Sequence, residues 1–234
     1  MATIVALHSE THGDMLVKNQ PDFSIAKDQN ILPVVVQEFI PASVEFLIAF
    51  VKTSNGDTFQ PVMVTGLKPQ QNFFSNGDNW TGLYMPSVMW NSPFKLMANP
   101  KDPDALLLAI DEDSDLVSKG EGEALYDPSG KETAFHEQRR QAVINNFEFG
   151  QTTQGFSQLL VHLDLLKQQT ISVELKGEKM NLEGLYMIDA EKLNALSDEQ
   201  FKDLRTRGFL PVIYAQMTSW QNIHHLLKMA NEQA

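Results

Sequence analysis

Residues 182–219 read LEGLYMIDAEKLNALSDEQFKDLRTRGFLPVIYAQMTS and carry the most completely specified local structure in the chain. Leu182–Ile188 alternates apolar and polar residues. It follows Thr170–Leu175 (TISVEL), which alternates too and is rich in β-branched residues, so the two predict an antiparallel hairpin turning at residues 177–181. Asp189 is placed to cap a short helix from Ala190, with Glu191 favourable in its first turn. Ser197 with Gln200 three residues on is a capping box, and Leu196 with Phe201 is the flanking hydrophobic staple. Arg205 and Arg207 suit the end of that helix, Gly208 suits its left-handed exit, and Pro211 reads as a stop. The stretch therefore predicts hairpin, short helix, capped helix and turn.

Working upstream, 131–149 has apolar residues at helical intervals, with Gly150 as its end. Thr152 or Thr153 then caps a second helix, with Phe156, Leu159, Leu160, Leu163 and Leu166 as its apolar face. Downstream, 219–231 predicts a last amphipathic helix on Trp220, Ile223, Leu226, Leu227 and Ala230. The first half reads differently. Residues 3–7, Phe46–Val51, Phe59–Gly66 and Ala105–Ile110 predict strands, with Asn55-Gly56 as a hairpin turn and 75–79 as a second turn. Pro33 is placed to begin a short helix and Pro41 to end one. The fold expected is α+β: an antiparallel or mixed sheet, mainly from the N-terminal half and joined by the 170–188 hairpin, covered by helices from 131 onward. One domain over 1–234 is expected, with residues 117–130 as a candidate hinge.

At 234 residues, with 42% apolar and 21% charged residues, the chain has the composition of a folded globular protein. Its net charge of -12 disfavours nucleic acid and anionic lipid, both of which need clustered Lys and Arg. The longest apolar runs are about six residues against the roughly 20 that a membrane span requires, so none is expected. The N-terminus has neither the basic start nor the apolar region of a signal peptide, and a cytoplasmic location is expected. There is no cysteine, which excludes disulfides and thiolate chemistry. Neither phosphate-binding glycine loop nor G-x-S-x-G occurs, and no cofactor is implied. A protein partner, or a peptide or aromatic small molecule, remains as the class of ligand.

Residues 80–96 concentrate Trp80, Tyr84, Trp90 and Phe94 among Pro86 and Pro93. Such rings offer rigid contact area to a ligand or partner, or pack a proline-shaped corner of the core. Asp111-Glu112-Asp113-Ser114-Asp115 lacks the glycine and glutamate of a calcium loop, yet Asp111 and Asp113 are candidate oxygen ligands. His8 and His12 lie four apart without the zinc-protease glutamate. His162 and Asp164 point about 200° apart on a helix, and the adjacent His224 and His225 diverge by about 100°.

These residues resemble the SapC family, named for a protein linked to a bacterial surface layer. The resemblance is densest in Leu182-Glu183-Gly184-Leu185-Tyr186, Asp189, Lys192–Leu196 and Ile213-Tyr214-Ala215-Gln216 to Ser219. It also takes in Glu10-Thr11-His12, Glu38-Phe39, Gly66-Leu67, Asn72-Phe73-Phe74, Trp80, Tyr84-Met85-Pro86, Pro93-Phe94 and Ile110–Ser114. The chain departs from the family at Trp90-Asn91-Ser92, where members often carry two arginines and an aromatic. The family has no agreed catalytic residues. The resemblance implies surface-layer association by name, and gene neighbours that include TonB-dependent receptors, tryptophan-halogenase-like flavoproteins and cupin-like oxygenases. The expectation is a non-enzymatic accessory or binding protein acting through Trp80, Tyr84, Trp90, Phe94, Asp111 and Asp113. The alternatives are a metal-dependent enzyme using some of His12, Asp111, Asp113, His162 and His224, and a surface-layer structural component.

Overall fold

The computed structural model describes residues 3–53, 58–76, 79–100, 102–175 and 178–233. In chain order its elements are β1 (Ile4–Ala6), α1 (Ser9–His12), β2 (Leu16–Val17), β3 (Ile31–Pro33), α2 (Phe39–Ala42), β4 (Leu47–Lys52), β5 (Phe59–Val64), β6 (Ser75–Asn76), β7 (Asn79–Trp80), α3 (Ser87–Asn91), β8 (Phe94–Asn99) and β9 (Asp102–Asp111). There follow β10 (Val117–Ser118), β11 (Glu123–Ala124), α4 (Ala134–His162), β12 (Leu166–Leu175), β13 (Glu178–Ile188), α5 (Ala190–Asn194), α6 (Asp198–Thr206), α7 (Leu210–Ser219) and α8 (Ile223–Gln233). Among the described residues every strand pairing is antiparallel. The fold is α+β. Its internal contacts gather in two units, Met1–Asp22 with Ser87–Glu148, and Phe23–Pro86 with Phe149–Ala234.

The first unit holds the sheet β1-β9-β8 and the small sheet β10-β2-β11. Its core is Val17, Phe94, Ile110, Leu116, Leu125, Tyr126 and Val143, with Leu7, Leu96, Leu108 and Phe135 packed against it.

The second unit is built on the sheet β12-β13-β4-β5-β3, so the C-terminal hairpin joins the strands of the first half of the chain. Leu47–Phe50 of β4 is wholly buried, which is why its sequence is a continuous apolar run and not an alternation. Phe39, Phe50 and Phe156 meet edge-on or tilted at 6.1–6.3 Å between ring centres, a geometry that aromatic quadrupoles favour.

Strands β13 and β4 pair at Leu185↔Val51 and Tyr186↔Phe50. Two residues further on, the same register places Ile188 opposite Ile48. Their backbone bond is replaced by the Gln216 side chain of α7: its Nε2 donates to the Ile48 carbonyl at 2.9 Å and its Oε1 accepts from the Ile188 N–H at 3.2 Å. The Ile48 N–H donates to Ser219 Oγ at 3.0 Å. Gln216 and Ser219 are fully buried, and their amide and hydroxyl continue the ladder where the strands part.

The end signals of 182–219 act as their chemistry requires. Asp189 accepts from the N–H groups of Glu191 and Lys192, the Ser197–Gln200 capping box is complete, and Gly208 holds a φ of +74° after α6. Pro211, expected as a stop, instead lies in the first turn of α7, where its missing N–H costs nothing. Gly150 does not end a helix: α4 runs unbroken from Ala134 to His162. An interior glycine costs about 1 kcal/mol, which packing on either side exceeds. Thr153 is therefore not a cap; its Oγ1 donates to the Phe149 carbonyl and accepts from the Val36 N–H. Leu166 opens β12 and does not sit in the preceding helix. Pro33 ends edge strand β3 and does not start a helix; an edge strand tolerates a residue without an N–H. The Asn55-Gly56 turn, Gly77-Asp78 and Gly177 lie outside the described residues.

Candidate functional site

In the first unit a cavity of about 290 Å³ lies between the β1-β9-β8 sheet and the start of α4. The sheet supplies an apolar wall: Leu96 and Leu108 are cross-strand partners, and the Leu7 N–H bonds to the Leu108 carbonyl. Glu132, two residues ahead of α4, and His136, Arg140 and Ile144 of the helix supply the other wall. A four-residue spacing advances about 40° past each full turn, so His136, Arg140 and Ile144 form one slowly winding stripe, with Glu132 joined to its start by the Arg140 ion pair.

The loop before α4 fixes where that stripe begins. Asp127 Oδ1 accepts from the Ser129 N–H, the Ser129 hydroxyl and the Lys131 N–H, bonds that hold its carboxyl below the usual range. Tyr126 and Glu132 then bridge as an antiparallel pair, and the Thr133 N–H bonds to the Leu125 carbonyl. Thr133 Oγ1 accepts from the His136 N–H and caps the first turn.

His136 is 2% exposed. Burial lowers its pKa, and Arg140 lowers it further against the opposing pull of Glu132, so the ring is neutral at physiological pH. Its Nε2 lies 3.9 Å from Glu132 Oε1, and its ring meets the Tyr126 ring edge-on at 5.1 Å. Its Nδ1 makes no hydrogen bond of ordinary geometry, and the Leu125 backbone acts on the ring in favour of protonation. Burial, and then Glu132, raise the Tyr126 hydroxyl, which stays protonated. Arg140 is held by two carboxylates, Glu132 and, at 3.2 Å, Glu137. With His136 neutral, the charged groups of the polar wall are Glu132 and Arg140, and Arg140 is also paired with Glu137 outside the lining.

The residues singled out in the sequence fall into both units. Trp80 and Tyr84 come together in the second. Trp80 stacks on Phe46 at 5.9 Å and donates from Nε1 to the Tyr84 carbonyl, and the Tyr84 hydroxyl donates to Glu38 Oε1 at 2.7 Å. Burial, and then Glu38, push the Tyr84 hydroxyl well above its ordinary value. Trp90 and Phe94 belong to the first unit. Phe94 is 3% exposed and meets Phe135; Trp90 is 40% exposed, with the Arg139 guanidinium 6.0 Å over its ring. Asp111 Oδ1 accepts the Thr3 N–H at 3.0 Å, and Asp113 Oδ2 accepts the Thr3 hydroxyl at 2.7 Å. His12 is buried; its Nδ1 accepts the His8 N–H, which leaves Nε2–H to face Glu112 Oε1 at 3.2 Å. His162 and His224 are exposed. Among the described residues no three His, Asp or Glu side chains gather into a metal-binding set. No helix among them is long and apolar enough to cross a membrane.

Residues that carry the family resemblance meet in pairs across distant parts of the chain. Glu10-Thr11-His12 reaches the 110–114 segment through His12–Glu112, and Glu38 reaches Tyr84, while Gln216 and Ser219 reach Ile48, which lies outside the resembling segments. Glu132, His136 and Arg140 were not singled out in the sequence. Their signal was there as an i, i+4, i+8 stripe of ionisable residues, but such spacing is equally that of a solvated helix face. No curated protein and no solved structure matches the chain. The sequence model of SapC matches residues 7–226, nearly the whole length, and the protein belongs to the SapC family.

Proposed function

We propose that the protein is a non-enzymatic binding protein whose site is the cavity of the first unit. Its ligand is a small amphipathic molecule with an apolar body against Leu7, Leu96, Leu108 and Ile144. The head group donates N–H hydrogen bonds to Glu132 and is neutral or cationic. The observation that carries this reading is the polar stripe of Glu132, His136 and Arg140 facing a leucine wall across about 290 Å³. Because Arg140 already serves two carboxylates, an anionic head would have to displace one of them; an amine adds to the site without that cost. The test is calorimetric titration with 1-aminopentane and with pentanoate. The amine binds, pentanoate does not, and Ile144→Trp, which fills the cavity, abolishes amine binding. Equal binding of both probes, or none by the amine, rejects the reading.

A second reading concerns a protein partner at Trp90. Its exposed ring beneath the Arg139 guanidinium presents two residue types that dominate interface energetics. Capture of a partner from the native cell that survives Trp90→Ala in a folded protein excludes this surface.

A further inference from the structure

A second cavity, of about 310 Å³, lies within the second unit between α4 and the β4–β5 hairpin. It is independent of the site proposed above and shares no lining residue with it. Phe59 of β5 forms one side, and Gln154, Ser157, Val161 and His162 of α4 form the other. The hairpin side is firmly held: the Thr53 N–H bonds to the Thr58 carbonyl, and the two threonine hydroxyls meet at 2.6 Å. Phe59 is fixed edge-on against Tyr186 at 4.8 Å, with the Lys52 amine 5.8 Å over its ring.

Ser157 is the feature that calls for a ligand. It is 3% exposed, and its Oγ makes no hydrogen bond. A helical serine in an apolar setting ordinarily bonds back to the carbonyl four residues earlier; Ser157 does not, although Thr153 on the same helix does. An unpaired buried hydroxyl is costly, so its presence in a cavity wall marks a position where an incoming group completes a bond.

We infer that this cavity binds a neutral bicyclic aromatic carrying one hydroxyl, with the ring system between Phe59 and Val161 and the hydroxyl on Ser157 Oγ. Size sets the ring count, since a cavity of about 150 Å³ holds one benzene ring and this one is about twice that. Charge sets neutrality, because the described lining residues include no Asp, Glu, Lys or Arg. Ser157 sets the single hydrogen-bonding group.

The test is fluorescence titration of 2-naphthol, with naphthalene and 2-naphthoate as comparisons, on the intact chain, Ser157→Ala and Val161→Trp. The wild-type chain binds 2-naphthol about tenfold more tightly than naphthalene, one hydrogen bond's worth, and excludes 2-naphthoate. Ser157→Ala reduces 2-naphthol to the affinity of naphthalene and leaves naphthalene unchanged. Val161→Trp, at a position 44% exposed and so tolerant of a larger side chain, blocks both. No binding by the wild-type chain, or an equal preference for 2-naphthol in Ser157→Ala, overturns the inference.

Discussion

Replacing Gln216 with leucine removes the side-chain amide that bridges β13 and β4 while nearly keeping its volume. The amide makes two bonds to backbone groups that have no strand partner at that point, the Ile48 carbonyl at 2.9 Å and the Ile188 N–H at 3.2 Å. Leucine supplies neither bond, and α7 still covers both groups, so the Ile188 N–H is left buried and unpaired and the Ile48 carbonyl keeps only the long 3.5 Å contact from the Ser219 hydroxyl. An orphaned buried group costs about 1–3 kcal/mol, and two, the upper limit here, give about 2–6 kcal/mol. That is a large share of the roughly 5–15 kcal/mol that holds a typical domain folded. The assay is equilibrium urea unfolding followed by tryptophan fluorescence and far-ultraviolet circular dichroism, with the midpoint shifting at constant slope. Gln221→Leu, at an exposed position nearby, is the control and should stay within about 0.5 kcal/mol. A loss below about 1 kcal/mol in Gln216→Leu would refute the view that this amide substitutes for a ladder bond.

Other expectations follow from single observations. Burial keeps His136 neutral in the fold, whereas the unfolded chain takes up a proton near pH 6.5. Its contribution is therefore complete above pH 6.5, and it is lost as pH falls, by up to about 1.4 kcal/mol per unit until the folded ring itself titrates. The stability gap between wild type and His136→Gln should narrow between pH 7.5 and pH 5.5, and a constant gap in urea titrations counts against a buried neutral ring. Ser197→Ala removes a complete capping box at an exposed helix start and should cost about 1 kcal/mol by thermal unfolding. Gly66→Ala places a methyl carbon 2.0 Å from the Gln71 carbonyl oxygen, so the 66–71 turn must open. The expected loss is about 3 kcal/mol, the upper end of overpacking, and a neutral effect on the urea midpoint would contradict the close approach.

Much of the fold was legible where one residue type answers one backbone need. Asp189, Ser197, Gln200 and Gly208 sit where capping chemistry requires them, and the antiparallel hairpin follows from alternation. Its strands are longer than expected, with Leu166–Gln169 in β12 and residues 178–181, expected as turn, already paired in β13. Pro211 misled because proline suits both the end of one helix and the first turn of the next. Gly150 misled because the stop it signals is weak against tertiary packing along α4. The ladder role of Gln216 was out of reach: a glutamine in the apolar run LPVIYAQM carries no sign of the two backbone groups it meets 168 and 28 residues away. The cavity of the first unit was hidden for a related reason. The spacing of Glu132, His136 and Arg140 is visible along the chain, but the leucine wall opposite comes from β8, β9 and the end of β1, and its approach is a product of folding. Trp80 and Tyr84 stood out as aromatics, yet Trp80 Nε1 and the Tyr84 hydroxyl are bonded within their own unit. Their partners, the Tyr84 carbonyl and Glu38, could not be read from composition.

The most direct measurement is methyl chemical-shift mapping in the intact protein on adding 1-aminopentane. The binding account predicts saturable shifts at Leu7, Leu96, Leu108 and Ile144, with the His136 ring resonances moving in step and Leu185 and Ile213 of the second unit unaffected. Shifts absent from those four residues, or appearing equally with pentanoate, would contradict it.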